Sequence, residues 1–569
     1  MKITTNILDI KIDYDKVDRD FVIVEFKSNT DKKPNPIIFD VEDVNMYSLT
    51  YSDGLYAYAL MDENGYKDLL QADMDETISY KRVDALYADK YKSLTRLFLN
   101  ALANYRSDLA YNNLTGKFYK FDSRVYINTL KMEELGIHYD SINDITTLKC
   151  NTCTFIRIDK YDRTNAIYTF DGSNNNTLRR CFKPENSMFI KKGRANRKAS
   201  KVFLALQDGS GRAKIMYDLI KDLNETFSDY IKIGFKEYDI LDFKPSRGVK
   251  LQEITKDLII NHDIAIVNLT KEEENIERIE SLKHNIEVAL NKKIKVCKKF
   301  QKNCFNIAII HEKEYYEKKN MKDIYQTIDR NVITQCVTIE EIKCFINDDS
   351  EKMTPPLVTI LKELLIKNDV VNTNTFSLDN WAQYSFENDW EFIKRDEETK
   401  NIYKMTINKD GKYEMEKYSM SSFDFTDSNN YSYMFNKSKD LELVIKDDKG
   451  NINCIERTDI IAMPSSLVFN SLPIRRTKKA RSELYPGLCN INYFEINNNK
   501  YYNVGQDYKN VQLKFVNASH LRRIIIVDGS KNLVEELLDL MSVSFVKYNE
   551  LTILPYPVKY LNEYIEMNK

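Results

Sequence analysis

The 569-residue sequence predicts an α/β multidomain, bilobed protein. Three observations lead to this fold class. Residues 1 to about 190 read as strands around one helix, strands and helices alternate from about 201, and three strands follow one another from Trp390. At roughly 100–200 residues per domain, the length allows about three or four domains. With 43% hydrophobic and 30% charged residues, packed cores are possible and disorder is not expected.

The first part of the chain, 1–190, has the pattern of an α+β lobe. Short apolar runs such as VIVEF, PIIFDV and LYAYALM are separated by polar turns, which is typical of strands. The stretch KSLTRLFLNALANYRSDL, starting at Lys92, instead spaces its leucines along one side of a helix. We therefore expect an N-terminal and linker lobe of strands packed around this helix.

The second part, 191–350, changes to alternating strands and helices. From Lys201 the strands VFLALQ, YIKIGFKEYDIL, DIAIVNL, KIKVCKKF, FNIAIIH and ITQCVTI are separated by helical stretches such as AKIMYDLIKDLNETF, LQEITKDLII and DIYQTIDR. This alternation predicts a parallel sheet in a Rossmann-like domain.

The third part, 351–569, begins with the helix PPLVTILKELLIK. The segments WEFIKRD, IYKMTINKDG and KYEMEKYS then predict three consecutive antiparallel strands, with a turn at 408–411. Further strands follow at LELVIKDD, DIIAMP, NYFEI and KYYNVG, then helices around NASHLRRIIIV and NLVEELLDLMSV. A three-stranded meander followed by mixed elements is the layout of an RNase H-like domain.

Composition and motifs exclude several classes of protein. No apolar run approaches the roughly 18–20 residues of a membrane helix, and the first residues alternate like a strand rather than forming a secretory signal, so we expect a soluble, cytoplasmic protein. The histidines form no HExxH, and GxSxG and GxxxxGK[ST] are missing, which disfavours zinc hydrolases, serine hydrolases and P-loop motors. DGSGR at 208–212 favours a tight turn over a phosphate loop. Cys150 and Cys153 form a lone CxxC, expected to be reduced structural thiols.

Basic residues are clustered although the net charge is only −2. Three stretches hold Lys191, Lys192, Arg194, Arg197, Lys198 and Lys201; then Lys292, Lys293, Lys295, Lys298, Lys299 and Lys302; then Arg475, Arg476, Lys478, Lys479 and Arg481. Any one of these fits a solvated surface as well as a phosphate contact. Three of them at domain edges favour a channel that follows a nucleic-acid backbone, for which we select the first and third stretches.

Two segments, one in the middle of the chain and one at its end, resemble a known family. The strand TQCVT followed by the helix VTILKELLIK resembles the guide-binding MID domain and the adjoining PIWI domain of prokaryotic Argonaute-like proteins. The end of the chain, LTILPYPVKYLNEYIE, resembles the close of a PIWI domain through Pro555, Pro557, Lys559 and Tyr560, with Leu561 replacing the family's alanine. The resemblance spans about 200–569.

The resemblance implies a pocket for the 5′-phosphate of a guide. It assigns Gln335 of TQCVT and Lys367 of the following helix, with Lys362 as the alternative lysine. Two pairs compete for the first half of the pocket: Tyr316 with Lys319, or Lys322 with Tyr325. Such a pocket needs cationic or amide donors for the phosphate and a surface on which the first base stacks. Whether a Mg²⁺ ion also binds at the phosphate is left open. The alternative to a phosphate pocket is that these lysines are simply exposed on helix surfaces.

The first lobe is too short for N, linker and PAZ domains together, so the resemblance implies that PAZ is missing. LTGKFYKF and CNTCTFIRI resemble the Argonaute-like subunit of the DdmDE plasmid-defence system more than the short Argonautes. That resemblance implies a short 5′-phosphorylated guide, expected to be DNA, which recognises invading plasmid DNA and recruits a helicase–nuclease effector. The first lobe and 421–438 are the surfaces considered for docking the effector.

Carboxylates near the meander do not assemble a nuclease site. RNase H-type cleavage needs three or four carboxylates around two metal ions, the first at the centre of the first strand. Lys394 lies at that centre, and the acidic residues nearby read as turn or edge positions: Asp396, Glu397, Asp447, Asp448, Glu456 and Asp459. We expect no catalytic residues, no catalytic metal and no enzyme activity. An active guide-dependent nuclease, a short-Argonaute-type sensor with a different effector and a protein-only scaffold remain open.

Overall fold

The computed structural model describes residues 2–29, 44–52, 56–74, 76–112, 117–121, 129–161, 167–171, 177–181, 183–191, 202–205, 212–241, 251–270, 272, 275–347, 352–418, 428–463, 491–504, 515–518, 520–542 and 552–569. Within these ranges, no helix combines the length and apolar character needed to cross a membrane.

The first lobe is built mainly from strands that are rich in β-branched and aromatic residues. The strands are β1 (Lys2–Ile12), β2 (Val22–Ser28), β3 (Ser48–Ser52), β4 (Tyr56–Met61), β5 (Ile78–Val83), β6 (Leu109–Asn112), β7 (Lys117–Phe121), β8 (Thr129–Asp140), β9 (Ile145–Ile158), β10 (Ile167–Asp171), β11 (Thr177–Arg180) and β12 (Met188–Lys191). Helices among them are α1 (Tyr14–Asp20), α2 (Glu63–Gln71), α3 (Ala85–Ala88) and α4 (Ser93–Ala101). The helix predicted from Lys92 is confirmed as α4.

One antiparallel sheet of this lobe has the strand order β3-β4-β2-β5. Phe26 and Leu69 pack on one side of it, in a core that includes α2. On the other side α4 approaches the sheet, where the Ser48 hydroxyl donates a hydrogen bond of 2.7 Å to the Leu97 carbonyl oxygen. Because successive side chains of a strand point to opposite faces, the apolar residues of this sheet contribute to two different cores, one on each face.

The strands β8 and β9 form a long antiparallel hairpin that carries the CxxC pair. Cys150 and Cys153 are free thiols, as expected. The thiol of Cys153 lies 3.1 Å from a carboxylate oxygen of Glu134, and burial together with that charge raises the pKa of Cys153 to about 11. These cysteines are protonated packing residues at neutral pH.

The region from 202 to 241 corrects one prediction. Its elements are β13 (Val202–Ala205), α5 (Arg212–Thr226) and β14 (Ile231–Asp239). Instead of joining a parallel sheet, β14 pairs antiparallel with β1, and β13 pairs antiparallel with Phe515–Ala518. The predicted parallel pairing of these two strands is wrong, because partners more than 200 residues away decide the pairing and local periodicity does not reveal them.

The predicted parallel sheet is confirmed over the next part of the chain. The elements of this part are α6 (Leu251–Ile260), β15 (Ile264–Asn268), α7 (Ile276–Leu290), β16 (Lys295–Cys297), β17 (Phe305–Ile310), α8 (Lys313–Lys318) and β18 (Thr334–Thr338). The strand order is β16-β15-β17-β18, and each neighbouring pair is parallel. The helix predicted at DIYQTIDR is shorter, a 3₁₀ turn at Ile324–Thr327.

The last part begins with α9 (Pro355–Asn368), capped where the Thr354 hydroxyl accepts the Leu357 amide hydrogen. It continues with β19 (Trp390–Arg395), β20 (Ile402–Ile407), β21 (Tyr413–Tyr418), α10 (Ser428–Lys437), β22 (Leu441–Lys446), β23 (Ile452–Met463), β24 (Ile491–Ile496), β25 (Asn499–Val504), β26 (Phe515–Ala518), β27 (His520–Ile526), α11 (Val534–Met541) and α12 (Pro557–Met567). The predicted antiparallel meander is confirmed as β19-β20-β21.

The helix predicted around NASHLRRIIIV is wrong. Asn517 and Ala518 lie in β26 and His520–Ile526 form β27, which pairs antiparallel with both β23 and β25. Leu521 and Ile524 have helical spacing. The β-branched residues that follow nevertheless pack well on a pleated surface, and the backbones of β23 and β25 supply hydrogen-bond partners on both sides. Tertiary pairing overrode the local spacing here.

A single asparagine ties the first lobe to the last domain. Asn6 of β1 is 2% exposed. Its side-chain nitrogen donates to the carbonyl oxygens of Leu148 (2.9 Å) and Asp459 (3.2 Å), and its side-chain oxygen accepts the Ile461 amide hydrogen at 2.9 Å. Three strands, β1, β9 and β23, are therefore held together by one buried amide whose hydrogen bonds are satisfied.

Candidate functional site

The predicted guide-end residues Gln335 and Lys367 meet between β18 and α9. Lys367 lies in the last turn of α9, and its ammonium group donates to the Thr334 carbonyl oxygen at 2.6 Å. The same group donates to Oε1 of Gln335 at 3.0 Å. The structure thus brings together two residues that are 32 positions apart in the sequence. Their proposed contact with a phosphate stays a prediction.

The surroundings of Lys367 are close to charge balance. Lys559 of α12 contacts Glu363 at 3.0 Å and Glu563 at 3.6 Å. Burial raises the pKa of Glu563, while the positive charges of Lys559 and Lys367 act in the opposite direction. Two lysines and two glutamates therefore share one partly buried region, so an incoming anion meets carboxylates as well as ammonium groups.

Two hydroxyl groups of β18 are buried without a partner among the described residues. Thr334 is 4% exposed, and among the described residues its hydroxyl oxygen has no hydrogen-bond partner. The same holds for the hydroxyl of Thr338 at the other end of β18. Burying a hydroxyl without a partner is unfavourable, but side chains alternate along a strand, so the Thr334 hydroxyl points away from the Gln335 side chain, and it is the Thr334 carbonyl oxygen that meets Lys367.

The first half of the predicted pocket needs a correction. Tyr316 is 2% exposed, and its hydroxyl oxygen accepts the His311 amide hydrogen at 3.1 Å, so it is a core residue. The tyrosine that Lys319 contacts is Tyr315, with the ammonium 4.2 Å from the ring centroid. The structure therefore does not bring Tyr316 and Lys319 together: Tyr316 is buried, and Lys319, the residue after α8, lies over Tyr315.

Tyr315 belongs to a polar cluster at the carboxyl ends of the parallel strands. Its ring stacks on His311 with centroids 3.6 Å apart, and its hydroxyl donates to Glu272 at 2.5 Å. The two ring nitrogens of His311 lie 2.7 Å from Glu272 and 2.8 Å from Glu340. Lys319 is 3.9 Å from Glu272 rather than beside Gln335. Its charge is thus shared with a carboxylate.

The remaining predicted pocket residues differ in exposure. Lys322 is exposed. Burial, and then the nearby Cys336 and Glu563, raise the pKa of Tyr325, so its hydroxyl shares the surroundings of Lys367. Lys362 is 8% exposed, and burial lowers its pKa to about 8. Burial therefore disfavours the charged form of Lys362.

The structure describes one of the residues predicted to follow a nucleic-acid backbone. Lys191 ends β12 and forms an ion pair of 2.9 Å with Glu134, which Lys117 also contacts at 2.9 Å. Burial alone would raise the pKa of Glu134, but its contacts with these two lysines outweigh burial and lower that pKa to about 2. The other predicted backbone contacts lie outside the described residues: Lys192, Arg194, Arg197, Lys198, Arg475, Arg476, Lys478 and Lys479.

The acidic residues near the meander serve turns and ion pairs. Asp396 accepts the amide and hydroxyl hydrogens of Thr399, both at 2.8 Å, and lies 3.3 Å from Lys569. Asp447 accepts the Asn451 amide hydrogen at 2.7 Å. The centre of β19 is Phe392 and Ile393, and the following Lys394 donates to Asn562 at 2.6 Å.

Two further carboxylates, Glu456 and Asp459, pair with Arg523 and Lys149 at 2.5 Å each. In the part of the chain that the structure describes, no group of three or more His, Cys, Asp or Glu side chains is placed to hold a metal ion. The carboxylates nearest Lys367 both contact Lys559, so these residues alone do not fit the Mg²⁺ left open for the guide end.

One notable residue was missed at the sequence level. Asp369 is 1% exposed and begins a π-helical turn, Asp369–Thr373, directly after α9. Its carboxylate accepts hydrogen bonds from the Ser377 amide at 2.8 Å and the Ser377 hydroxyl at 2.7 Å. Burial raises its pKa from 3.8 to about 6, because the hydrogen bonds only partly offset desolvation. No local pattern marks it, since Asp after a helix normally reads as exposed.

Comparisons with known proteins bear on the fold. No family model matches the chain, and no curated protein matches it. A structure of Kluyveromyces polysporus Argonaute with a guide RNA is similar over 100% of this chain and 94% of that chain, with 9% identity and a TM-score of 0.52.

Two structures of Marinitoga piezophila Argonaute are also similar. The complex with 5′-OH guide RNA and target DNA has 12% identity and a TM-score of 0.45, and the complex with the guide alone has 11% and 0.44. Each covers 98% of this chain and 97% of the other. The likeness to the yeast protein shows an Argonaute-like fold, which confirms the predicted α/β multidomain class; the missing PAZ domain stays a prediction.

Proposed function

We propose that this chain binds a short guide nucleic acid and uses it to recognise a complementary strand. The guide carries a 5′-phosphate and is DNA, and the target is DNA. The observation that carries the proposal is the direct contact of Lys367 with Gln335, in a chain with an Argonaute-like fold. Solved relatives of that fold are complexes with guide RNA and, in one case, target DNA.

The chemistry of the pocket supports a terminal phosphate. Oε1 of Gln335 already accepts from Lys367, which leaves the amide nitrogen of the same side chain as a donor for an anion. A phosphate oxygen that replaces the Thr334 carbonyl as a partner of Lys367 exchanges a neutral acceptor for a charged one. Base pairing between guide and target reads the sequence, while the protein holds the backbone.

We further propose that the chain does not cut its target. Phe392 and Ile393, the central residues of the first meander strand, are apolar and buried where a metal-binding carboxylate is required, and the adjacent Lys394 donates to Asn562. Asp396 and Asp447 are engaged by backbone amides of their own turns. Apolar residues at the strand centre supply no metal ligand, and the cation beside them repels divalent metal ions.

Recognition without cleavage requires another protein to act. The resemblance of the first lobe to the Argonaute-like subunit of the DdmDE plasmid-defence system supports a role in plasmid defence, a form of prokaryotic immunity, in the cytoplasm. In that role the guide-loaded chain marks invading plasmid DNA and recruits a helicase–nuclease.

Nucleic acid that co-purifies with the full chain tests the central part of the proposal. Sequencing it should reveal short 5′-phosphorylated DNA, and a guide with a 5′-phosphate should bind more tightly than the same guide with a 5′-hydroxyl. A preference for RNA would change the guide class. If no nucleic acid co-purifies and neither oligonucleotide binds, a protein-only scaffold is the better account.

Cleavage is tested separately. The guide-loaded chain is incubated with labelled complementary DNA and Mg²⁺ or Mn²⁺, and the expected result is intact target. Guide-dependent cutting would instead support the active nuclease. Adding plasmid and the neighbouring gene product should then produce plasmid degradation that depends on both proteins; degradation by the neighbour alone would remove the recruiting role, and activation of a different activity would support the sensor.

A further inference from the structure

The sheet β3-β4-β2-β5 carries two lysines that each lie over a tyrosine ring. The ammonium of Lys81 on β5 is 5.0 Å from the ring centroid of Tyr87, and that of Lys27 on β2 is 5.9 Å from the centroid of Tyr56. We call Lys27, Tyr56, Lys81 and Tyr87 the lysine–tyrosine face. None of them was a predicted site residue, and none belongs to the region around Lys367.

Strand register puts these side chains on one face. Lys27 is paired with Tyr56 on one side and Ser79 on the other, and two residues earlier Glu25 is paired with Tyr58 and Lys81. Because side chains alternate along a strand, both rows project in the same direction. Tyr87 reaches the face from α3, where the side chain of Asp84 accepts its amide hydrogen at 2.6 Å.

The face is open at one end of the sheet. The Lys81 side chain is 59% exposed and Tyr87 is 43% exposed. Next to Tyr87, Leu86 is 65% exposed, an unusual value for leucine. Farther along the same face, Ile23 is buried in the core that α4 covers. The aromatic rings thus sit on a rigid, well-packed base but remain accessible to a ligand.

The carboxylate beneath this face does not project from it. Glu25 is 4% exposed, and its oxygens take a hydrogen bond of 2.8 Å from the Tyr58 hydroxyl and an ion pair of 3.1 Å with Lys81. Two further carboxylates, Asp84 and Asp18, accept the amide hydrogens of Tyr87 and Ala85 at the start of α3. Glu25 therefore shares the charge of Lys81, whereas Lys27 is exposed and forms no ion pair among the described residues, so its ammonium group contributes most to the outward charge of this face.

We infer that the lysine–tyrosine face binds single-stranded nucleic acid. Bases stack on Tyr87 and Tyr56, and the phosphates between them contact Lys81 and Lys27. Aromatic rings interleaved with cations are the combination that binds single strands without sequence preference, since every base has a stacking face. The site is separate from the proposed guide-end pocket and serves an unpaired segment of a strand, whichever strand supplies it.

The test measures binding of a labelled 5′-hydroxyl thymidine 15-mer to the full chain, with and without a saturating guide. Tyr87→Ala should weaken binding about fivefold or more, from the loss of one stacked base. Tyr87→Phe keeps the ring and should bind like the unmodified chain. Lys27→Gln should lower the slope of log affinity against log salt by about 0.7, the single-strand value for one phosphate contact.

Matched controls lie elsewhere on the surface. Tyr433→Ala removes a 67% exposed tyrosine of α10, and Lys409→Gln removes an exposed lysine of the β20–β21 turn; both should leave binding unchanged. Unchanged affinity in Tyr87→Ala overturns the inference and leaves a protein partner as the occupant of this face. Equal weakening of single-stranded and duplex probes by Tyr87→Ala also overturns it. The measurement without guide tests binding at the lysine–tyrosine face by itself, so its outcome does not depend on whether the chain binds a guide.

Discussion

The buried carboxylate of Asp369 gives stability a specific dependence on pH. In the folded protein its pKa is about 6 rather than 3.8, mainly because burial disfavours the charged form. Between these values the folded state holds more protons than the unfolded state, so this residue lowers stability as pH rises from about 4 to 6. At about 1.36 kcal/mol per pKa unit, the loss amounts to about 3 kcal/mol and is complete at neutral pH.

The substitution Asp369→Asn removes the titration while keeping the shape of the side chain. The variant also alters hydrogen bonds to Ser377, which shifts its stability by an amount that does not vary with pH. The informative quantity is therefore the difference between the two proteins as a function of pH. Relative to the unmodified chain, Asp369→Asn should gain about 3 kcal/mol of unfolding free energy between pH 4 and pH 7.

Urea unfolding followed by tryptophan fluorescence measures this difference. The chain has two tryptophans, and Trp381 and Trp390 are both buried with rings 6.3 Å apart. They share a core with Tyr413, whose own raised pKa includes a contribution from Asp369 after burial, so the probe reports on the right region. Parallel pH profiles for both proteins would refute the reasoning. The exposed Asp528→Asn is the control and should track the unmodified chain.

Two more predictions concern packing and backbone. Asn6→Ala should lower stability by about 3 kcal/mol or more, since it strands the Leu148 carbonyl and the Ile461 amide in a buried position; urea unfolding checks this, and a loss below 1 kcal/mol contradicts it. Gly411→Ala should destabilise clearly more than Gly450→Ala. Both have positive φ, +80° and +85°, but a Cβ at Gly411 would lie 2.8 Å from the Trp381 side chain whereas Gly450 has open space, so equal melting temperatures would contradict this account.

The parts of the fold that were predictable rest on local patterns. The parallel strands between 264 and 338 alternate with helices, and the meander from Trp390 has strong apolar alternation, so periodicity was sufficient for both. Pairing between distant segments was not predictable. Ile231–Asp239 has the same alternation as its neighbours, and the fact that β1 is its partner depends on the whole topology.

The site shows a similar division. The TQCVT motif and the helix that follows led to Gln335 and Lys367, and their side chains do meet. Choosing between Tyr315 and Tyr316 required knowing where α8 begins, because adjacent residues on a helix point about 100° apart. The carboxylates beside Lys367 come from α9 and α12, which no local pattern places together.

The central claim is that Lys367 and Gln335 receive a guide's 5′-phosphate, and one comparison tests it most directly. Affinities of the unmodified chain and of the double variant Gln335→Ala/Lys367→Ala are measured for one oligonucleotide with a 5′-phosphate and with a 5′-hydroxyl. Charge-assisted contacts contribute roughly 1.5–3 kcal/mol each, so the unmodified chain should prefer the phosphate by tenfold or more. The double variant should lose that preference while binding the 5′-hydroxyl oligonucleotide as before. An unchanged preference in the double variant, or none in the unmodified chain, would contradict the claim.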